Sequence, residues 1–145
     1  MEPKSFSGTL DSLGSIRHYV TSAAQSARLD KKATYGLCLA VDEIATNIIV
    51  HGYDEAGRSG VLDLRAEITS GNLIVTIEDD GIPFDPRQSH LPDAEDLGKP
   101  LEDRPIGGLG VFLAFEGVDE FRYERSGERN RNVFLVHVET GNPSA

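Results

Sequence analysis

Glu43 and Asn47 stand four residues apart in a stretch of helical periodicity, so their side chains share one helix face. Leu39, Ala40 and Val50 fall beside them, so an acid and an amide project from a largely apolar strip. Two readings follow. The pair is a solvated flank between core and surface, or it is a recessed polar site whose carboxylate must be paired, bound to a metal or protonated. His51, four residues beyond Asn47, extends the same face, while Asp42 and Thr46 fall on the solvent side.

A second group runs Glu78-Asp79-Asp80-Gly81-Ile82-Pro83-Phe84-Asp85-Pro86. Asp79 closes the most apolar strand pattern of the chain, in phase with Leu73, Val75 and Ile77, so its side chain turns toward the same layer as theirs. Asp, Gly and Pro are ordinary turn residues. A carboxylate at that place can also accept a hydrogen bond inside a pocket, and Gly81 lets a ligand come close to the backbone. The third group is Gly107-Gly108-Leu109-Gly110 ahead of an apolar segment. Glycines at a helix N-terminus leave backbone N–H groups open to an anion, phosphate above all. No Gly-Lys-Ser/Thr follows, as a P-loop requires, and no βαβ unit surrounds the glycines, as a dinucleotide fingerprint requires. Cys38 sits among apolar residues of a helix and reads as packed; His18, His51, His90 and His137 show no metal-ligand spacing.

The elements that must hold these groups follow from periodicity. Leu13, Ile16, Val20, Ala23 and Ala27 predict a helix over 13–27, with Asp11 or Ser12 as its cap. Asp30 predicts the cap of a second helix over 31–50, with Leu37, Val41, Ile44 and Ile48 as its core stripe and Gly52 as its C-cap. The period then changes to two. Leu62, Leu64, Ala66 and Ile68 alternate with Asp63, Arg65 and Glu67, Ser70-Gly71-Asn72 makes a hairpin turn, and residues 73–78 form a central strand. Residues 80–106 carry five prolines and no sustained apolar period, the mark of a functional loop or insert. A short helix over 111–116 and strands over 121–125 and 133–139 complete the chain. The fold class predicted is α+β: a two-layer sandwich with a mixed, mostly antiparallel sheet and helices on one face.

With 145 residues, the chain is expected to form one domain over 1–145, with tails at 1–9 and 141–145. The 14 Lys and Arg set against 24 Asp and Glu give a net charge of −10, which disfavours generic nucleic-acid binding. One cysteine excludes a disulfide within the chain and a Cys-rich zinc site. Uninterrupted apolar runs are short, and residues 1–10 lack the apolar core of a signal peptide, so the expected setting is cytoplasmic.

Taken in order, Asp42-Glu43-Ile44-Ala45-Thr46-Asn47 with His51-Gly52-Tyr53, the Asp79–Pro86 segment, and Gly107-Gly108-Leu109-Gly110 resemble the motif series of the GHKL (Bergerat-fold) ATPases. Within them the chain looks most like the small anti-sigma-factor serine kinases of bacteria, over about residues 10–140; Arg131-Asn132-Val133 adds to the likeness. The resemblance implies ATP and Mg²⁺ as cofactors. It implies that Asn47 coordinates Mg²⁺, that Asp79 accepts the adenine amino group, and that Gly81 admits the base. It implies that Gly108 and Gly110, with Gly107 and Leu109, offer backbone N–H groups to the phosphates. Residues 80–106 would be the ATP lid, with Arg104 and, less favoured, Lys99 as phosphate contacts. Pro83, counted with the nucleotide set, stands where many members carry a second glycine. Glu43 would be the general base of a serine/threonine protein kinase that binds a sigma factor and phosphorylates an anti-sigma-factor antagonist. The alternative is an ATP-binding, partner-switching module without kinase activity. A homodimer is also implied, with the first helix and first strand as its surface.

Overall fold

A computed structural model describes residues 1–86 and 116–138. The described chain runs β1 (Lys4–Ser7), a 3₁₀ turn (Leu10–Ser12), α1 (Leu13–Ser26), α2 (Lys31–Asn47), a π-helical turn (Ile48–Asp54), β2 (Val61–Thr69), β3 (Asn72–Asp79), β4 (Glu120–Ser126) and β5 (Arg129–His137). The strands form one sheet in the order β1-β2-β3-β5-β4. The α+β sandwich is as expected, but every pairing among the described strands is antiparallel, so the sheet described is not mixed.

Residues 1–9 are not simply a tail. Lys4 to Ser7 pair with Leu64 to Val61, and Phe6 packs edge-on against Tyr19 of α1 with ring centroids 6.1 Å apart. Four residues with one buried side chain give too short an alternation to be read from sequence. β1 covers β2 only from Val61 to Leu64; Ile68, next to the β2–β3 turn, is 51% exposed rather than core.

The β2–β3 hairpin turns through Ser70-Gly71, where Gly71 has φ 83°, a left-handed conformation that suits glycine. β3 is flanked by β2 and β5, and Leu73, Val75, Ile77 and Asp79 all face the helices. Asp30 caps α2 as expected, its Oδ1 accepting from the Ala33 N–H at 2.7 Å. Gly52 is not a C-cap. The helical path continues through the π turn to Asp54. The stretch Lys31–Asp54 is therefore long and apolar enough to cross a membrane by length and composition. Its apolar stripe is used otherwise: Leu37, Ala40, Val41, Ile44, Ala45, Ile48 and Ile49 belong to the core with α1 and the sheet.

Two glycine contacts seat this helix. A Cβ on Gly36 would lie 2.6 Å from the Gly117 carbonyl oxygen, and a Cβ on Gly81 would lie 2.9 Å from the Gly52 carbonyl oxygen. Directly after Gly52, Tyr53 acts as a strut. It is 1% exposed, its ring sits against Gly8 and Gly60, its hydroxyl donates to the Val61 carbonyl at 2.7 Å, and the Asp80 N–H donates to that hydroxyl at 3.0 Å.

Candidate functional site

Asp79 ends β3 on the buried face, 1% exposed, as its phase requires. Its Oδ1 accepts from the Gly81 N–H at 2.8 Å, a side-chain turn closing over two residues, and from Asn130 Nδ2 at 3.0 Å. Its Oδ2 is buried and has no partner among the described residues. Burial pushes the Asp79 carboxyl above the ordinary aspartate range. The Asn130 and Gly81 hydrogen bonds pull it back, nearby Asp80 raises it, and Arg129 lowers it. A buried carboxylate oxygen without a donor costs free energy, about 1–3 kcal/mol or more. Such an atom is a place for a ligand N–H.

Gly81 is fitted as tightly. A Cβ there would meet Asp79 Oδ1 and the Gly52 carbonyl, both at 2.9 Å. The Ile82 N–H donates to the same Gly52 carbonyl at 3.4 Å. The turn after β3 thus rests on the π turn after α2. Further along, Phe84 stacks on His51 with centroids 5.7 Å apart and planes at 22°. His51, in turn, pairs with Glu55 at 2.7 Å. Pro83 lies in this segment and is exposed.

On α2, Asn47 is 8% exposed and Glu43 is half-buried. The solvated-flank reading is therefore set aside for Asn47. Burial, and then the negative charge of neighbouring Asp42, raise the Glu43 carboxyl above the usual glutamate range. Asp42 itself turns outward to Arg17 at 2.8 Å. The helix face carrying Glu43 and Asn47 runs into His51 and so to the Phe84 segment. Among the described residues, no group of three or more His, Cys, Asp and Glu side chains could hold a metal. A cation such as Mg²⁺ takes one or two protein oxygens together with phosphates. The amide oxygen of Asn47 is a donor of that kind. Arg104, Lys99 and Gly107, Gly108, Leu109 and Gly110 lie outside the described residues, as does most of the 80–106 segment.

Sequence reasoning missed Asn130. The last strand, expected from Val133, begins at Arg129. Its first residues read Arg129-Asn130-Arg131-Asn132, a polar run that carries no hydrophobic signal. The period of two is nonetheless present. Asn130 and Asn132 are buried on the helix side, while Arg129 and Arg131 are partly exposed and bond to Asp63 and Glu78. Asn132, opposite Ile77, has both side-chain polar atoms buried without a partner among the described residues.

The sequence pattern of the histidine kinase-like ATPase domain matches residues 6–135. The chain belongs to this family. It is 34% identical over 97 residues to the anti-sigma F factor of Clostridium novyi (strain NT), covering 66% of this chain and 64% of that relative. It is 37% identical over 78 residues to the serine-protein kinase RsbW of Halalkalibacterium halodurans, covering 52% of this chain and 45% of that one. The matched stretch therefore spans less than two thirds of either relative's length. Among solved structures, the RsbU and RsbW domains of Rv1364c from Mycobacterium tuberculosis superpose with a TM-score of 0.63 at 15% identity, covering 95% of this chain and 33% of that one. The histidine kinase domain of the Erythrobacter litoralis EL346 blue-light activated kinase superposes with a TM-score of 0.54 at 21% identity, covering 87% and 61%. These superpositions establish the histidine-kinase-like fold.

Proposed function

We propose that this histidine kinase-like ATPase domain binds ATP with Mg²⁺ and acts as an anti-sigma-factor serine/threonine protein kinase, phosphorylating an antagonist protein in a cytoplasmic setting. The observation that carries the nucleotide reading is Asp79, whose Oδ1 takes two donors while its buried Oδ2 has none among the described residues. An adenine amino group supplies the missing donor, and Gly81, with no room for a Cβ, keeps the wall thin beside it. The names of the two relatives support the kinase and sigma-factor parts.

ATP supplies the phosphoryl group and Mg²⁺ the positive charge that neutralises the phosphates. Asn47 is the residue that would hold the metal. In the transfer, the substrate hydroxyl oxygen forms a bond to the γ-phosphorus, the bond to the bridging oxygen breaks, and ADP leaves. Glu43 takes the hydroxyl proton; a carboxylate whose proton affinity is raised by burial is better suited to that task. Such a reaction needs mainly positioning and charge neutralisation.

The test begins with ATP binding by calorimetry, with and without Mg²⁺, on wild type, Asn47→Ala and Asp79→Asn. Mg²⁺-dependent binding weakened by both changes is expected, and no binding by wild type would refute the nucleotide reading. Incubation with any anti-sigma-factor antagonist encoded nearby then separates kinase from switch. Glu43→Ala should retain ATP and lose phosphate transfer. If wild type transfers none yet still controls its partner in an ATP-dependent way, the module is a switch.

A further inference from the structure

We propose that Asn130 is a positioning residue of this nucleotide site, acting as a latch that holds the Asp79 carboxylate and the Gly81–Ile82 backbone in the one arrangement that leaves Asp79 Oδ2 for the ligand. The inference rests on the ATP reading given above.

Asn130 is 2% exposed, and its amide is in use on both sides. Nδ2 reaches Asp79 Oδ1 at 3.0 Å, the Ile82 carbonyl at 3.0 Å and the Gly81 carbonyl at 3.3 Å. An amide NH₂ has two protons, so the two shorter contacts take them and the third is shared. The Gly81 carbonyl has a second donor in Arg125 Nη1 at 3.1 Å. On the other side, Asn130 Oδ1 accepts from the same Arg125 nitrogen at 3.1 Å and from the Tyr123 hydroxyl. Arg125 can only donate, so the amide atom that faces it is the oxygen, which fixes the orientation of the amide and turns its NH₂ toward Asp79.

The consequence for Asp79 is directional. Rotating the carboxylate would abandon the bonds from Gly81 and Asn130, and both donors are buried. One oxygen is therefore committed to the protein and the other is aimed away from it. The register supports the same division: Asp79 on β3 lies directly opposite Asn130 on β5, so the latch is set by strand pairing rather than by the turn alone.

The experiment measures binding of ATP and of purine riboside triphosphate, which lacks the exocyclic amine, to wild type, Asn130→Ala, Asp79→Asn and the double variant. Asn130→Ala is expected to weaken ATP about tenfold, the scale of one buried hydrogen bond to a charged group, and to weaken the amine-free analogue by a smaller factor, because the Gly81–Ile82 backbone loses a donor too. The double variant should bind ATP no more weakly than Asp79→Asn. Tyr123→Phe, which removes one donor that orients the amide, should weaken ATP in the same sense by a smaller factor; it serves also if Asn130→Ala does not fold. A pH series adds a readout that general loosening would not move. Asp79 is faced by Asp80, Arg129 and Tyr53 as well as by Asn130, and only the last is changed. Without that donor, ATP binding should fail at a higher pH on acidification. Wild-type ATP affinity in Asn130→Ala, or equal loss of ATP and analogue, overturns the latch while the ATP reading stands. No ATP binding by wild type overturns both.

Discussion

Adding one methyl group at Gly81 is a severe test of the geometry around Asp79. In Gly81→Ala the new Cβ would stand 2.9 Å from Asp79 Oδ1, 2.9 Å from the Gly52 carbonyl oxygen and 3.1 Å from its carbon. Two of these three atoms are backbone, and the third is held by Asn130, so no flexible side-chain end can give way. Overpacking of this kind costs about 1–3 kcal/mol. For a domain near 150 residues that lowers Tm by roughly 3–9 °C. Relief must come from parting the β3 turn from the π turn, or from moving the carboxylate, so ATP affinity should fall at least about tenfold, the equivalent of ~1.4 kcal/mol. Gly14→Ala is the control. Gly14 lies in α1, is exposed, and no described atom lies within 4 Å of its added Cβ. The same chemical change there should stabilise by roughly 0.5 kcal/mol through helix propensity. Thermal denaturation and ATP calorimetry on both variants read the contrast. A Gly81→Ala protein with wild-type Tm and wild-type ATP affinity would refute the packing described here.

Three further outcomes are expected. Asp79 has its carboxyl raised on folding, so its contribution to stability is fully present below the unfolded value and is lost as pH rises through the folded one; in ATP-free protein, Asp79→Asn should flatten that decline from about the ordinary aspartate range upward, read by urea titration at stepped pH. Glu43→Gln should lower kcat for phosphate transfer by about 10²–10⁴ with little change in ATP affinity. In wild type, the acid limb of the kcat profile should lie above the usual glutamate range, because burial and Asp42 raise the Glu43 carboxyl. Tyr53→Phe leaves the Val61 carbonyl and the Asp80 N–H without the hydroxyl they share, at a cost of about 1–3 kcal/mol in denaturant unfolding.

The helices, the β2–β3 hairpin and the phase of Asp79 were legible because apolar side chains mark them at a clear period. Ala23 and Leu37 are core where the stripes put them, and Leu73, Val75 and Ile77 carry the period through to Asp79. What escaped lacks that signal. β1 has one buried residue, Phe6, and owes its existence to the exposed edge of β2. The first half of β5 alternates buried Asn with partly exposed Arg, so the strand period is written in polar residues and reads as a turn. Gly52 suggested a helix end, yet the chain continues in a π turn whose backbone seats Gly81. The site divides the same way. Glu43, Asn47, Asp79 and Gly81 stand on elements the periodicity locates. Asn130 could be found only through strand pairing, which the sequence does not display.

The two glycine contacts on α2 and its π turn act as a pair of anchor points on a single rod. Gly81 is seated on Gly52, and Gly117 on Gly36. The two helix glycines are sixteen residues apart, a span of roughly 24 Å at helical rise. Whatever the length of chain between Gly81 and Gly117, its ends are spaced by the rod and not by the chain itself. Loop-closure entropy grows only logarithmically with length. The frame that carries Asp79 is therefore set by contacts of the rod itself. The rod does not tolerate a change in its own register, since a single residue inserted between Gly36 and Gly52 would rotate one anchor about 100° away from its partner.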